Sequence, residues 1–310
     1  MTRMQSNIMK VHENEFVHFF WEKIMSVLFT DSNCELHYSA IEKHGIKLIQ
    51  MPYILDDEEY FYDDGKDPSF VRIYQRMKEG AIPTTSALSP QNYVDYFEPV
   101  LASGEDIFYV SFSHELSGTF NYMDMAIREL REKYPDRKIT VFDTKNISFG
   151  GGIQVLEAVR LREKGLSDEE VLFELERFKE KIRVYFYVSS LTYLKRGGRV
   201  SSTSAVFGNM LNIKPILRVD ENGKIVKHQT VHGLKKAISA LGEIFMKEAE
   251  LESSRSFYVV DADAKNDADI LEKEILTRTG GKVQFERYNI GPVITAHCGP
   301  GTTGIIFVAK

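Results

Sequence analysis

Cysteine is nearly absent from this chain: 310 residues contain two, Cys34 and Cys298. Two thiols make no disulfide framework, which excludes a small bridged scaffold and makes a reducing cytoplasm the expected location. No apolar run reaches the length of a membrane span, so no stable membrane insertion is expected. The start does not read as a secretory signal, because Lys10, His12, Glu13 and Glu15 interrupt its apolar residues. The net charge is −6 and no basic block occurs, which argues against a nucleic-acid partner.

Several ligand signatures are missing too. Gly150-Gly151-Gly152 follows a strand pattern but is not G-x-G-x-x-G, so a dinucleotide site is unsupported. There is no G-x-x-x-x-G-K-[ST] phosphate loop. Asp261, Asp263, Asp267, Asp269 and Glu272 echo a calcium loop, but Lys265 and Asn266 replace a ligand and the required glycine. His228 and His232 lack a third ligand. Neither a metal nor a cofactor is expected.

What is present is an ordinary soluble composition, 43% apolar and 27% charged, long enough for two domains. Residues 1–24 read as an N-terminal extension with an amphipathic pattern at Phe16, Phe19 and Phe20. From Met25 onward, strand and helix patterns alternate. Strands are expected at Met25 to Thr30, Ile46 to Ile49, 107–110 and Ile139 to Phe142. Helices are expected from Glu35 to His44, from Pro68 to Gly80, after Ser89-Pro90, from Phe120 to Lys133, after Gly150-Gly151-Gly152 and after Ser167. Asp56 to Asp67 reads as a solvated acidic loop. This alternation implies an α/β domain over 25–183, a parallel sheet flanked by helices, with ligands beyond the carboxyl ends of its strands. A second α/β domain is expected over 184–310, with a hairpin turn at Asp220-Glu221-Asn222-Gly223 and an apolar helix from Ser204 to Leu211.

Three polar stretches stand out. Ser113-His114-Glu115-Leu116-Ser117-Gly118-Thr119 ends a strand and opens a helix, where free backbone N–H groups favour an anion. Pro83-Thr84-Thr85-Ser86 offers three hydroxyls before another helix. His297 lies in a loop with glycines at 299, 301 and 304, which allow amides to converge. Taken singly, each reads as ordinary capping or turn chemistry; together they are expected to meet at one cleft. Lys195-Arg196-Gly197-Gly198-Arg199 adds three cations beside flexible backbone, suited to a phosphate or an acidic partner surface. An alternative is a serine hydrolase acting on acyl esters, with Ser117, His297 and an aspartate such as Asp31 or Asp143. It lacks G-x-S-x-G and any residue fixed as a base beside Ser117.

The chain resembles the DegV family of bacterial fatty-acid-binding proteins from about Met25 to Lys310. The residues that carry the likeness are Thr30-Asp31-Ser32, Pro83-Thr84-Thr85-Ser86 with Ser89-Pro90, Leu116-Ser117-Gly118-Thr119 and Tyr193-Leu194-Lys195-Arg196-Gly197-Gly198-Arg199. Further along come Leu211-Asn212-Ile213-Lys214-Pro215-Ile216-Leu217, Ile290-Gly291-Pro292-Val293-Ile294, and His297 with Gly299-Pro300-Gly301. The resemblance implies two α/β domains with a long-chain fatty acid between them. It makes Thr85 and Ser117 the direct carboxylate ligands, with His297, Ser86, Gly118, Thr119 and nearby amides completing the site. It implies no catalytic residue, and a separate ATP-dependent fatty acid kinase that forms an acyl phosphate for phospholipid metabolism. Lys195, Arg196 and Arg199 match the region that docks that kinase. His114, Glu115, Cys298 and the N-terminal extension depart from the pattern.

The physical demand of such a ligand is clear. A carboxylate removed from water needs several hydrogen bonds, and hydroxyls, a histidine and loop amides are suitable donors. At ~0.8 kcal/mol per buried CH₂, a tail of ~14 methylenes offers on the order of 11 kcal/mol before association costs. That requires an apolar tunnel, for which Phe186, Val188, Leu191, Leu194, Val206, Phe207, Met210, Leu211 and Ile213 are the candidate wall.

Overall fold

A computed structural model of the chain describes residues 25–200, 213–252 and 257–310. The extension 1–24, the expected helix from Ser204 to Leu211 and the tunnel candidates Val206, Phe207, Met210 and Leu211 lie outside the described residues.

The first sheet is parallel, as the alternation requires. Its strands β1 (Val27–Asp31), β2 (Lys47–Ile49), β6 (Ile107–Ser111) and β7 (Ile139–Asp143) lie in the order β2-β1-β6-β7. Every residue of β6 is buried, as expected for a parallel strand covered on both faces. Helices α1 (Tyr38–Lys43), α3 (Pro90–Ala102), α4 (Thr119–Lys133), α5 (Phe149–Glu163) and α6 (Asp168–Lys179) complete this part of the chain. Two of them begin with capping boxes, Ser89 with Asn92 and Ser167 with Glu170. The strand order reverses between β1 and β6. The loops after these two strands therefore diverge and leave a crevice at their carboxyl ends.

A small antiparallel sheet, β4-β3-β5, sits beside it: β3 (Pro52–Leu55), β4 (Glu58–Phe61) and β5 (Thr84–Thr85), with α2 (Arg72–Lys78) between β4 and β5. Strand β4 corrects the expected solvated loop over Asp56 to Asp67. Cross-strand packing of Tyr60 on Tyr53, with Arg72 over the Tyr60 ring, outweighs the local acidity. Asp64, within the same stretch, is buried.

The second sheet has six strands in the order β10-β9-β8-β13-β11-β12: β8 (Ile182–Tyr187), β9 (Ile213–Val219), β10 (Ile225–His232), β11 (Phe257–Ala262), β12 (Phe285–Asn289) and β13 (Thr302–Val308). Only β11 and β12 pair parallel; the other neighbours are antiparallel. Alternation along its strands divides two cores. Tyr185, Tyr187, Val259, Ile305 and Phe307 face α8 (Leu234–Glu248) and α9 (Lys265–Thr279). Val184, Phe186, Tyr258, Val260 and Ile306 join one continuous core with the first sheet.

That shared core explains Gly150-Gly151-Gly152. A Cβ on Gly150 would stand 2.6 Å from Val184, and one on Gly151 2.7 Å from the Cys34 sulfur. The run lets α5 lie directly against β8 and the loop after β1. Two short helices, α7 (Leu191–Gly197) and α10 (Pro292–Cys298), pack on each other at the crevice.

Candidate functional site

The loops after β1 and β6, strand β5 and helices α7 and α10 meet at the crevice. A cavity of about 70 Å³ there is lined by Asn33, Thr85, Ser86, Leu116, Ser117, Thr119, Arg199 and His297, among others. The three polar stretches of the sequence thus converge. Thr85 Oγ1 lies 3.0 Å from His297 Nε2. Ser117 Oγ accepts a hydrogen bond from the Thr119 amide at 3.2 Å and has no basic side chain bonded to it among the described residues.

Burial, with Arg199 nearby, pushes the His297 imidazole down to about 4, so it is neutral near pH 7. Its Nδ1 is buried with no hydrogen bond of regular geometry, although the Gly197 backbone lies close. Close packing of α7 on α10 produces this. A Cβ on Gly197 would stand 2.9 Å from the His297 Cα, so only glycine admits this approach.

The predicted residues are not equivalent. The Thr119 hydroxyl is already committed, bonded to the Leu88 amide and the Tyr93 hydroxyl. Ser86 Oγ donates to Glu59. Gly118 caps α4 at the exposed edge, in an open cleft shared with His114, Glu115, Ser117, Asp124 and Lys224. Lys195 and Arg196 are exposed on α7, and Arg196 lines a second open cleft with Ile82, Thr85 and His297. Arg199 lies on the wall of the polar cavity and of both clefts, its guanidinium donating to the Gly197 carbonyl at 2.7 Å.

The hydroxyl-bearing cavity, whose wall also includes Met51, Phe112, Val293 and Ile294, has a neighbour. A second cavity, of about 60 Å³, shares Ile147, Arg199, Ile225, Ile294 and His297 with it and is otherwise lined mainly by apolar side chains. Phe186 and Leu194 of the candidate tunnel wall are there, and so is Cys298, whose thiol burial pushes up to about 12. Val188 is core. Asn33 and Ile147 were not legible as wall residues, since nothing in their local pattern separates them from a turn and a helix approach. A larger open cleft, about 670 Å³, is elsewhere, lined by Lys145, Arg218, Lys247 and neighbours, and contains none of the predicted site residues.

No triad forms. The Asp31 carboxylate accepts from the Asn33 and Phe112 amides and the Tyr109 hydroxyl, and Asp143 accepts from the Lys145 amide. Neither bonds to His297, whose Nε2 is paired with Thr85 rather than Ser117. Among the described residues no group of three or more metal-ligating side chains occurs, and no helix is long and apolar enough to cross a membrane.

Comparison with known proteins gives a consistent result. The model of the family described as uncharacterised protein, DegV family, matches residues 26–310. A DegV domain-containing protein of Clostridium perfringens is 34% identical, covering 91% of this chain and 97% of its own. The solved structure of a fatty-acid-binding DegV family protein from Thermus thermophilus superposes with a TM-score of 0.80 at 31% identity, covering 92% of this chain and all of that one. DegV of Bacillus subtilis, a fatty-acid-binding protein, gives 0.77 at 30% identity, with 92% and 100% coverage. With nearly its whole described length accounted for, the chain belongs to the DegV family.

Proposed function

We propose that this protein binds a long-chain fatty acid and presents its carboxylate to a separate ATP-dependent kinase. The observation that carries the proposal is the adjacency of the two cavities, whose walls share Ile147, Arg199, Ile225, Ile294 and His297. A donor-bearing chamber with Thr85, Ser117 and His297 shares part of its wall with an apolar one. A carboxylate fits the first and an alkyl tail the second. The solved relatives from Thermus thermophilus and Bacillus subtilis, described as fatty-acid-binding, support the same ligand class.

Thr85 and Ser117 donate to the carboxylate, His297 orients Thr85, and Ser86, Gly118 and Thr119 shape the chamber. The Arg199 cation neutralises the head group. The two cavities are smaller than the roughly 150 Å³ that holds benzene in an engineered core, so a long tail must push wall side chains aside. Domains 25–183 and 184–310 enclose the ligand between them.

The head-group end is the accessible end, since Thr85, Ser117 and His297 also line the two open clefts. Lys195, Arg196 and Arg199 form the docking surface for the kinase. On that partner a carboxylate oxygen attacks the terminal phosphorus of ATP and ADP leaves, so this chain contributes no nucleophile of its own. The setting is cytoplasmic, with the acyl phosphate entering phospholipid metabolism.

Native mass spectrometry of protein purified from a bacterial host, followed by extraction and lipid identification, tests the ligand. One fatty acid per chain is expected. Protein that is empty and takes up no added fatty acid overturns the proposal. Mixing loaded protein with a fatty acid kinase subunit and ATP tests the partner, with acyl phosphate as the expected product.

A further inference from the structure

Glu35 is a buried acid that does not line the polar cavity. It is 4% exposed and has a φ of 51°, a conformation that costs energy for any residue but glycine. Its Oε1 accepts from the Gly291 amide at 2.5 Å, and its Oε2 shares a short hydrogen bond with Ser148 Oγ. Ser148 is itself buried, with a φ of 55°. These partners lie 113 and 256 residues away in the chain.

Each partner leads to the site. Gly291 is the N-cap of α10, the helix that carries His297. Ser148 precedes α5 and lines the inner cavity, as does Ile290 next to Gly291. One carboxyl therefore joins the loop after β1 to the starts of α5 and α10. Two strained residues bonded to each other persist only where the surroundings over-determine them, and such strain concentrates at functional sites.

We propose that Glu35 is a positioning residue for the acyl site: through Ser148 and the Gly291 amide it fixes α10, and with it His297, against the wall of the inner cavity. The inference rests on the fatty-acid reading. The ionisable groups that feel Glu35 are Asp64, Tyr62, Tyr74 and Cys298, with Asp31 next to Asp64. All are acidic or neutral, and no cation among the described residues offsets a charge on Glu35. Burial accordingly raises its carboxyl to about 8. The neutral carboxyl can share its proton with Ser148 while its other oxygen accepts from Gly291. Ionisation removes that proton and places a charge, met by the Ser148 hydroxyl and the Gly291 amide but by no cation among the described residues, behind a site that must also hold the ligand's carboxylate.

The test is fatty-acid affinity of the full chain between pH 6 and 9.5. Wild type should bind evenly to about pH 7.5 and weaken on the order of tenfold by pH 9.5 as the Glu35 proton is lost. Glu35→Gln preserves both hydrogen bonds and has no proton to lose, so it should match wild type at pH 7 and stay flat. Glu35→Ala should bind more weakly at every pH. A wild type that is flat to pH 9.5 overturns the inference while leaving the fatty-acid reading intact. So does a Glu35→Gln profile that falls in parallel with wild type, since another buried acid, Asp31 or Asp64, would then be the titrating group. A wild type that binds no fatty acid at any pH overturns the reading and the inference together.

Discussion

Thr85 Oγ1 and His297 Nε2 are 3.0 Å apart, although 212 residues separate them in the chain. The contact joins β5 to α10 and makes a hydroxyl from one half of the chain the partner of an imidazole from the other. Removing the hydroxyl while keeping the shape isolates its contribution. Thr85→Val should weaken fatty-acid binding by at least about tenfold, as expected for a hydrogen bond to a charged group worth about 1.5–3 kcal/mol. Titration calorimetry measures the loss, and an unchanged melting temperature shows that the fold is intact. Parent-like binding would put the carboxylate elsewhere.

Ser117 has an amide donor but no base. A fluorophosphonate should therefore leave it unlabelled, and long-chain esters should not turn over. Stoichiometric labelling detected by mass spectrometry would revive the hydrolase. Ser117→Ala should instead lower fatty-acid affinity in the same direction as Thr85→Val.

Gly197→Ala inserts one methyl where α7 meets α10, 2.9 Å from the His297 Cα. Overpacking of this kind costs about 1–3 kcal/mol. The expected result is a lower urea midpoint together with weaker fatty-acid binding, because relief of the clash moves His297. Unchanged binding would mean that the helix contact does not set the site.

Stability should depend on pH with a defined sign. Burial raises Asp31 from 3.8 to about 7 and Glu35 from 4.5 to about 8. The folded state keeps protons that the unfolded chain has released, so stability falls as pH rises from about 4 through 8, by at most about 1.4 kcal/mol per pH unit per group. His297 acts in the opposite sense. Its pKa drops from 6.5 to about 4 on folding, so stability is lost as pH falls through that window. The urea midpoint should be lower at pH 8.5 than at pH 6.5, and Glu35→Gln should reduce the difference. Equal midpoints in wild type would show that these carboxyls are not held neutral.

Much of the site was legible before folding, because hydroxyls and glycines at strand ends have a local meaning. Ser117 follows β6 of the parallel sheet that alternation already implied, whereas Thr85 stands on β5 of the small antiparallel sheet and His297 on α10, so their meeting is set by tertiary packing. Glu35 shows where local reasoning stops. A helix from Glu35 to His44 is a fair reading of composition, yet the structure has a short 3₁₀ turn at Ser32–Cys34, a left-handed Glu35, and a helix only from Tyr38 to Lys43. Hydrogen bonds to Ser148 and Gly291 outweigh a propensity worth tenths of a kcal/mol per residue.

The sequence by itself determined the strand and helix alternation that builds the parallel sheet, the polar stretches and their chemistry, since hydrophobic period and turn residues are local properties. Tertiary structure alone decided that the second sheet is mostly antiparallel, that Arg199 stands on the cavity wall, and that Thr119 is spent on Leu88 and Tyr93. Those outcomes depend on which surfaces meet between elements distant in sequence, 31 and 26 residues apart even for the Thr119 contacts. No window of sequence encodes that meeting; the burial of one shared core does.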